Sequence, residues 1–162
     1  MIIVVMGVAG SGKTTLGRAL AAALGWVFVE GDDYHPAANI AKMARGEPLD
    51  DADRAPWLQR LNRRLAALDA SGADAVLACS ALKARYRERL AAGLGDVRFV
   101  HLAGDAALVE RRLRARVGHF MPADLLASQA LALELPDDAL PVPIELPTER
   151  QVHLVLQAIR RG

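Results

Sequence analysis

The strongest chemical signal in the sequence is a glycine-rich segment near its start, GVAGSGKT at residues 7–14. It satisfies G-x-x-x-x-G-K-[S/T] at every fixed position, and a loop of this kind turns its backbone N–H groups towards phosphate. We call residues 7–14 the P-loop and predict that they bind a nucleoside triphosphate. Lys13 is then expected on the β- and γ-phosphates and the Thr14 hydroxyl on a bridging Mg²⁺ ion. The predicted nucleotide-binding residues of the loop are Gly7, Val8, Ala9, Gly10, Ser11, Gly12, Lys13 and Thr14.

Two common classes of P-loop protein fit the rest of the sequence poorly. A GTPase carries D-x-x-G after a strand and N-K-x-D later. The D-x-x-G at residues 69–72 ends a predicted helix, and neither Asn39 nor Asn62 begins N-K-x-D. A motor or AAA-type ATPase carries an acid at the end of the third or fourth strand, where this chain has Cys-Ser at 79–80 and His-Leu at 101–102.

The acid nearest to the expected phosphate site is Asp32, two residues past the strand that follows the P-loop helix. This placement is typical of small-molecule and nucleotide kinases. There a carboxylate faces the γ-phosphate and holds a water on Mg²⁺ or accepts the proton of the acceptor hydroxyl. A plain turn or capping aspartate is the alternative interpretation. We do not expect a catalytic role for its neighbour Asp33.

A basic helix later in the chain is a candidate for closing over the transferred phosphate. Arg112 and Arg116 are four residues apart and so share a helix face, and Gly118 interrupts the pattern that follows. We predict a short lid at about residues 116–123, with Arg116 catalytic and Arg112 on ATP. A solvated basic face is the alternative.

The elements that must position these residues alternate between strands and helices. Alternation of this kind predicts an α/β fold, a parallel five-stranded sheet with helices on both faces and all strand carboxyl ends at one edge. Ligands bind at that edge. Strands are predicted at 2–6, 26–29, 75–79, 97–102 and 142–146, the last an edge strand or partly a loop because of its prolines. Helices are predicted at 14–24, 36–44, 53–72, 82–90, 106–116, 123–133 and 149–159, with Asp53 as a cap.

Length and composition indicate one domain over residues 1–162, with 52% hydrophobic and 24% charged residues. A single cysteine argues against an internal disulfide, and a net charge of +1 argues against a nonspecific nucleic-acid or membrane-surface binder. The apolar run at residues 1–6 is too short to span a bilayer and lacks the features of a signal peptide. We therefore expect a cytoplasmic protein.

Four further stretches rich in polar residues lie at or near the binding edge, at residues 31–43, 46–58, 79–87 and 112–134. Together with the P-loop they resemble the gluconate kinases (gluconokinases), from Val4 to about Pro136. The resemblance implies a P-loop kinase fold with strand order 2-3-1-4-5, a lid, and commonly a homodimer. It also implies ATP-dependent phosphorylation of D-gluconate to 6-phospho-D-gluconate. The family's aspartate-bearing last strand is replaced here by PVPIE at residues 141–145.

Gluconate carries one carboxylate and five hydroxyls, so its site needs cations together with hydrogen-bond donors and acceptors. Any one of the matching residues could instead be a solvated surface group, and for Lys42 the two interpretations are evenly matched. The residues predicted to bind substrate are Asp32, His35, Lys42, Arg54, Lys83, Arg87 and Gln129, while Lys13, Asp32 and Arg116 are predicted to be catalytic and Thr14 and Asp32 to serve the metal. Trp57 is interpreted as a core residue rather than a sugar-stacking one.

Two other functions stay open on the sequence alone. One is a related small-molecule kinase of the shikimate or nucleotide type. The other is a P-loop protein that binds ATP as a sensor without transferring phosphate, although such a protein would need neither Asp32 nor the lid arginines.

Overall fold

The computed structural model describes residues 1–115 and 129–161. The predicted lid, Arg116 and the first part of the helix predicted at 123–133 lie outside these residues. Five parallel strands form one sheet in the order β2-β3-β1-β4-β5, which confirms the predicted topology. The strands are β1 (Ile2–Met6), β2 (Val27–Glu30), β3 (Ala75–Ala78), β4 (Val97–Ala103) and β5 (Leu140–Pro143).

Helices connect the strands and cover both faces of the sheet. They are α1 (Lys13–Leu24), α2 (Ala37–Ala44), α3 (Asp51–Ala70), α4 (Ala84–Ala91), α5 (Ala106–Ala115) and α6 (Thr148–Arg161). A short 3₁₀ helix (Gly31–Tyr34) joins β2 to α2, and residues 129–132 are also helical. None of the helices described combines the length and apolarity that a membrane span requires.

The continuous apolar run of β1 reflects burial on both faces of the central strand. Ile2, Val4 and Met6 pack into a core beneath α3 and α4, and Ile3 and Val5 pack into a second core beneath α1, α5 and α6. All five side chains are fully buried, and each contributes about 1.5–3 kcal/mol of transfer free energy. The sheet therefore holds the carboxyl end of β1, where the P-loop begins, as a rigid point.

Several element boundaries differ from the predictions by one to three residues, and two of these differences, at β5 and at the start of α3, have a clear physical reason. The last strand runs over Leu140–Pro143 and not over residues 142–146, pairing with β4 alone. Prolines are tolerated on an edge strand because the missing N–H groups can face away from the neighbouring strand. Helix α3 is capped by Asp50, not by Asp53. The two residues form a reciprocal capping box, in which the Asp53 N–H donates to Asp50 Oδ1 (2.7 Å) and the Asp50 N–H donates to Asp53 Oδ2 (2.9 Å).

Candidate active site

Three of the residues predicted to act in binding or catalysis, Lys13, Asp32 and Arg54, lie near the end of β3 at the carboxyl edge of the sheet. Burial raises the pKa of the Cys79 thiol to about 12, and the charges of Lys13, Asp32 and Arg54 also act on it. These three side chains come from segments far apart in the sequence, so the fold has brought them to one place. At this pKa Cys79 stays a protonated thiol and acts as a small buried hydrophobic residue.

The P-loop has a backbone shape that requires glycine. Gly7 has φ +150°, and a Cβ built on it would lie 2.9 Å from Ser11 Oγ and 3.2 Å from the Leu102 carbonyl oxygen. Gly10 has φ +76°, and its Cβ would lie 2.5 Å from Leu113 Cγ, where α5 packs on the loop. A side chain at either position would displace the loop from β4 or α5.

The start of α1 is suited to an anion. Gly12, the N-cap residue, has φ 102° and offers no side-chain cap, and the first turn carries no acidic residue. The partial positive charge of the helix N-terminus is thus left without a carboxylate from the helix itself. Lys13 Nζ donates a hydrogen bond to the Val8 carbonyl oxygen (2.9 Å), which places the ammonium over the loop. These features fit the phosphates of a nucleoside triphosphate.

Asp32 projects from the turn that follows β2. A Cβ on Gly31 would overlap the Ala78 carbonyl oxygen, so glycine lets the end of β2 lie against β3. Trp57 Nε1 donates to the Gly31 carbonyl oxygen (2.8 Å) and fixes the turn from the other side. The Asp32 side chain is 84% exposed and its Oδ1 lies 3.9 Å from His35 Nε2. The carboxylate is therefore accessible to a ligand at the binding edge.

His35 lies behind Asp32 in a buried position. Its ring stacks on Trp57 with 4.3 Å between centroids, and Asn39 Nδ2 lies 3.3 Å from His35 Nδ1. Burial lowers the pKa of His35 below its ordinary value, an effect that Asp32 opposes and Arg54 reinforces. At neutral pH His35 is thus a neutral donor or acceptor and not a cation. Trp57 is fully buried, so its interpretation as a core residue is confirmed.

A cavity of about 200 Å³ opens between the start of α3 and the start of α4, and we call it the α3–α4 cavity. It contains three of the predicted substrate-binding residues, Arg54, Lys83 and Gln129. Its lining residues are Pro48, Leu49, Asp50, Asp51, Arg54, Leu82, Lys83, Tyr86, Gln129 and Ala132. The wall is mixed in charge, with two cations and two carboxylates.

Tyr86 and Asp51 organise this wall, although sequence reasoning gave neither a role. The Tyr86 hydroxyl donates to Asp51, and the Arg54 guanidinium and the Lys83 ammonium each lie 5.6 Å from the centre of the Tyr86 ring. Lys83 Nζ is 3.4 Å from Asp51 Oδ1, and Arg85 also pairs with Asp51. The hydrogen bond from Tyr86, together with both cations, lowers the pKa of the Asp51 carboxyl. Both residues lie in the polar stretches at 46–58 and 79–87, and this position in the sequence is the signal that could have pointed to a role for them.

Two predicted substrate residues support the cavity without lining it. Arg87 Nη1 donates to the carbonyl oxygens of Ala81 (3.0 Å) and Leu82 (3.1 Å). Ala81 has φ +44°, a left-handed conformation that costs a non-glycine residue about 1–2 kcal/mol. The buried Arg87 thus holds a strained turn just before Lys83. Lys42 Nζ pairs with Asp53 Oδ2 at 2.6 Å and so braces the first turn of α3.

Arg112 ties α5 to the segment after β5, because its Nη2 donates to the Ile144 carbonyl oxygen (2.7 Å). The next residue on α5, Leu113, is the one whose side chain lies against Gly10 of the P-loop. Arg116, four residues later in the sequence, lies outside the described residues.

Comparison with known proteins gives a consistent answer. A family model described as an AAA domain matches residues 2–136. A gluconokinase of Gluconobacter oxydans is 48% identical over 98% of this chain and 89% of its own length. The thermoresistant gluconokinase of Escherichia coli is 42% identical over 99% and 94%. The crystal structure of a gluconokinase from Sinorhizobium meliloti superposes with a TM-score of 0.88 at 43% identity, covering 98% of this chain and 91% of that one.

Proposed function

This chain belongs to the gluconokinase family, within the P-loop proteins that the AAA-domain model describes, and we infer that it converts D-gluconate and ATP into 6-phospho-D-gluconate and ADP. The observation that carries this function is the α3–α4 cavity beside the P-loop. Its wall holds two cations that suit one carboxylate, and several groups that suit hydroxyls. A site built only for ATP would need no such cavity.

The chemistry of the wall fits a polyhydroxy monoanion. Arg54 and Lys83 can bind the gluconate carboxylate through charge-assisted hydrogen bonds. Asp50, Asp51 and Gln129 can accept hydrogen bonds from hydroxyls, and the Gln129 amide can also donate. The two carboxylates offset the two cations, so the wall carries no net charge and disfavours a polyanion, which is compatible with a ligand of one carboxylate and many hydroxyls.

We propose that Asp32, which follows β2 at the carboxyl edge of the sheet where the P-loop also begins, serves the phosphoryl transfer. The gluconate 6-hydroxyl oxygen forms a bond to the γ-phosphorus while the bond to the β,γ-bridging oxygen breaks, and ADP leaves. Asp32 orients the hydroxyl and accepts its proton. The P-loop N–H groups and Lys13 hold the phosphates in line, and catalysis comes mainly from this positioning and from charge.

Mg²⁺ would supply charge neutralisation on the β- and γ-phosphates when bound with ATP. The Thr14 hydroxyl, in the first turn of α1, would be its protein ligand, and Asp32 would hold one of its waters. Across residues 1–115 and 129–161 no cluster of three His, Cys, Asp or Glu side chains could hold a metal by itself. A cation that keeps most of its waters and binds chiefly to substrate phosphates suits that arrangement.

The remaining predicted residues have supporting or closing roles. His35 positions Asp32, Lys42 braces α3, and Arg87 holds the turn before Lys83, so that each shapes the acceptor site through a neighbour. Arg112 would contact ATP from α5, and Arg116 with the lid at 116–123 would neutralise the transferred phosphoryl group. We further propose a homodimer acting in the cytoplasm, which light scattering and cell fractionation would test.

An acceptor panel tests the function directly. ADP release is measured with ATP and Mg²⁺ in the presence of D-gluconate, shikimate, a nucleoside monophosphate or no acceptor. We expect release with gluconate, and 6-phosphogluconate as the product. A preference for shikimate or a nucleotide would assign another kinase activity, and equal rates with and without acceptor would remove the kinase function.

A further inference from the structure

Gln129 joins the two halves of the site. Its Oε1 accepts a hydrogen bond from the Ala9 N–H of the P-loop at 2.8 Å. The same residue lines the α3–α4 cavity, close to Arg54 and Lys83. Its side chain is half-buried. Gln129 therefore contacts the P-loop through its carboxamide oxygen and also lines the cavity proposed for the acceptor.

The bond to Ala9 uses a donor that ATP also needs. P-loop N–H groups bind phosphate oxygens, and here the carboxamide oxygen of Gln129 occupies one of them. A phosphate oxygen arriving at Ala9 would displace the carboxamide, which then has the cavity beside it. An acceptor hydroxyl that bonds to the carboxamide would in turn draw it away from Ala9. Either ligand would thus break the hydrogen bond between Gln129 and Ala9, which the other ligand would otherwise have to break itself.

The segment that carries Gln129 is anchored at its far end to the cavity wall. The Glu134 N–H donates to the Leu82 carbonyl oxygen (2.8 Å), and the Ala84 N–H donates to Glu134 Oε2 (2.7 Å). Residues 129–134 therefore reach from the P-loop to the start of α4. There they bond to the two residues that flank Lys83, Leu82 and Ala84. These two hydrogen bonds connect the segment of Gln129 to the turn that carries Lys83, so a shift of Gln129 would reach that turn.

We propose that Gln129 is a positioning residue that makes the binding of ATP and the binding of gluconate favour each other. The proposal rests on the proposed function. Such coupling is reciprocal, so gluconate must tighten ATP binding by the same factor by which ATP tightens gluconate binding. A coupling residue of this kind lets the enzyme hold its nucleotide firmly only when an acceptor is in place.

Calorimetry with a non-hydrolysable ATP analogue and Mg²⁺ tests the coupling. The dissociation constant of the analogue is measured with and without saturating gluconate. We expect a ratio of at least about fivefold for the wild type, within the usual range of coupling, and a ratio near one for Gln129→Met, which keeps length but loses the amide. Gln129→Asn, whose amide is too short to reach Ala9, should also lower the ratio. Gln157→Met, exposed on α6, is the matched control and should keep it.

A purely structural role for Gln129 predicts a different pattern. The variants would then lose melting temperature while keeping the wild-type ratio, and that result would overturn the proposal. A wild-type ratio of one would overturn it as well. Gluconate-dependent ADP release by the wild type separates the two claims, because its absence removes the proposed function itself, whereas its presence with an unchanged ratio in Gln129→Met removes only the coupling.

Discussion

The P-loop and the α3–α4 cavity are built on opposite principles. The P-loop binds through backbone N–H groups, and eight consecutive residues fix its shape through glycine torsion angles and contacts. The cavity is lined by side chains from three separate stretches, residues 48–54, 82–86 and 129–132. Its geometry depends on how α3 and α4 pack, on the Asp50–Asp53 capping box and on the strained turn at Ala81.

From this difference we expect a general site for phosphate in the P-loop and a specific site for the acceptor in the cavity. A backbone cradle recognises phosphate in any nucleotide, since every residue carries an N–H group. A wall of side chains can be changed residue by residue without disturbing the sheet. Substitutions in the P-loop should therefore affect all turnover, and substitutions around the cavity should affect the acceptor.

The largest effect is expected from Lys13→Ala. Removing the ammonium takes away the charge that balances the β- and γ-phosphates, and gluconate-dependent turnover should fall to background with weaker ATP binding. The loss of one hydrogen bond to Val8 costs only about 0.5–1.5 kcal/mol, so a thermal melt should show a folded protein. Thr15→Ala, exposed on the same helix, is the control and should stay active. Near-normal turnover of Lys13→Ala would show that the phosphates bind elsewhere.

The next effect tests Asp32, the carboxylate proposed to act on the acceptor hydroxyl at the γ-phosphate. Asp32→Asn keeps the shape of the side chain but removes its charge and its basic site, so kcat should fall by about 10²–10⁴-fold with a modest change in gluconate KM. Asp33→Asn, also exposed, should be much milder. Steady-state kinetics of both variants provide the test, and the opposite ranking would assign the chemistry to Asp33.

A smaller effect is expected from Asp50→Ala, which opens the capping box of α3. Loss of an N-cap costs about 1 kcal/mol, which in a domain of this size lowers the melting temperature by about 2–4 °C. Gluconate KM should rise because a proposed hydroxyl acceptor is lost and because Asp51 and Arg54 lie in the first turns of the frayed helix, while ATP KM stays unchanged. Asp137→Ala, in an exposed turn, is the control. An unchanged melting temperature would show that the box does not hold the helix start.

The smallest effect concerns the pH dependence of stability. Burial lowers the pKa of His35 below the value of about 6.5 in the unfolded chain, so the unfolded state binds more protons as the pH falls. The stability from neutral His35 is present above pH 6.5 and is lost on acidification towards its folded pKa. His101, whose pKa burial also lowers, acts in the same direction. His35→Phe keeps the stack on Trp57 and should show a smaller loss of unfolding free energy between pH 8 and pH 5.5. Parallel pH profiles of variant and wild type in urea unfolding would contradict this.

The parts of the molecule predicted from sequence are those set by contiguous residues. The motif at residues 7–14 identifies the P-loop. The apolar run of β1, together with the alternation of strands and helices, predicts the parallel sheet. Asp32 could be placed because its position follows from the end of a strand. The edge strand β5 was misplaced by two to three residues, since it pairs with one neighbour only and its prolines obscure the pattern.

The parts that sequence reasoning missed depend on contacts across the fold. Tyr86 and Asp51 meet only because α3 and α4 lie side by side, and no spacing rule links residues 35 positions apart. The left-handed Ala81 has no sequence signature, because alanine is not a residue expected there. Arg87 could therefore be picked out as a functional cation, but not as the group that holds this turn.

The most direct test of separate sites for ATP and for the acceptor is a comparison of the two-substrate kinetics of Lys83→Met and Arg85→Met. Both cations pair with Asp51, but Lys83 lines the cavity and Arg85 is not among its lining residues. A charge-assisted hydrogen bond is worth about 1.5–3 kcal/mol, so gluconate KM should rise by about 10- to 150-fold in Lys83→Met. ATP KM should stay within about twofold, and Arg85→Met should resemble the wild type. An equal rise in both KM values, or the same loss in Arg85→Met, would contradict a separate acceptor site between α3 and α4.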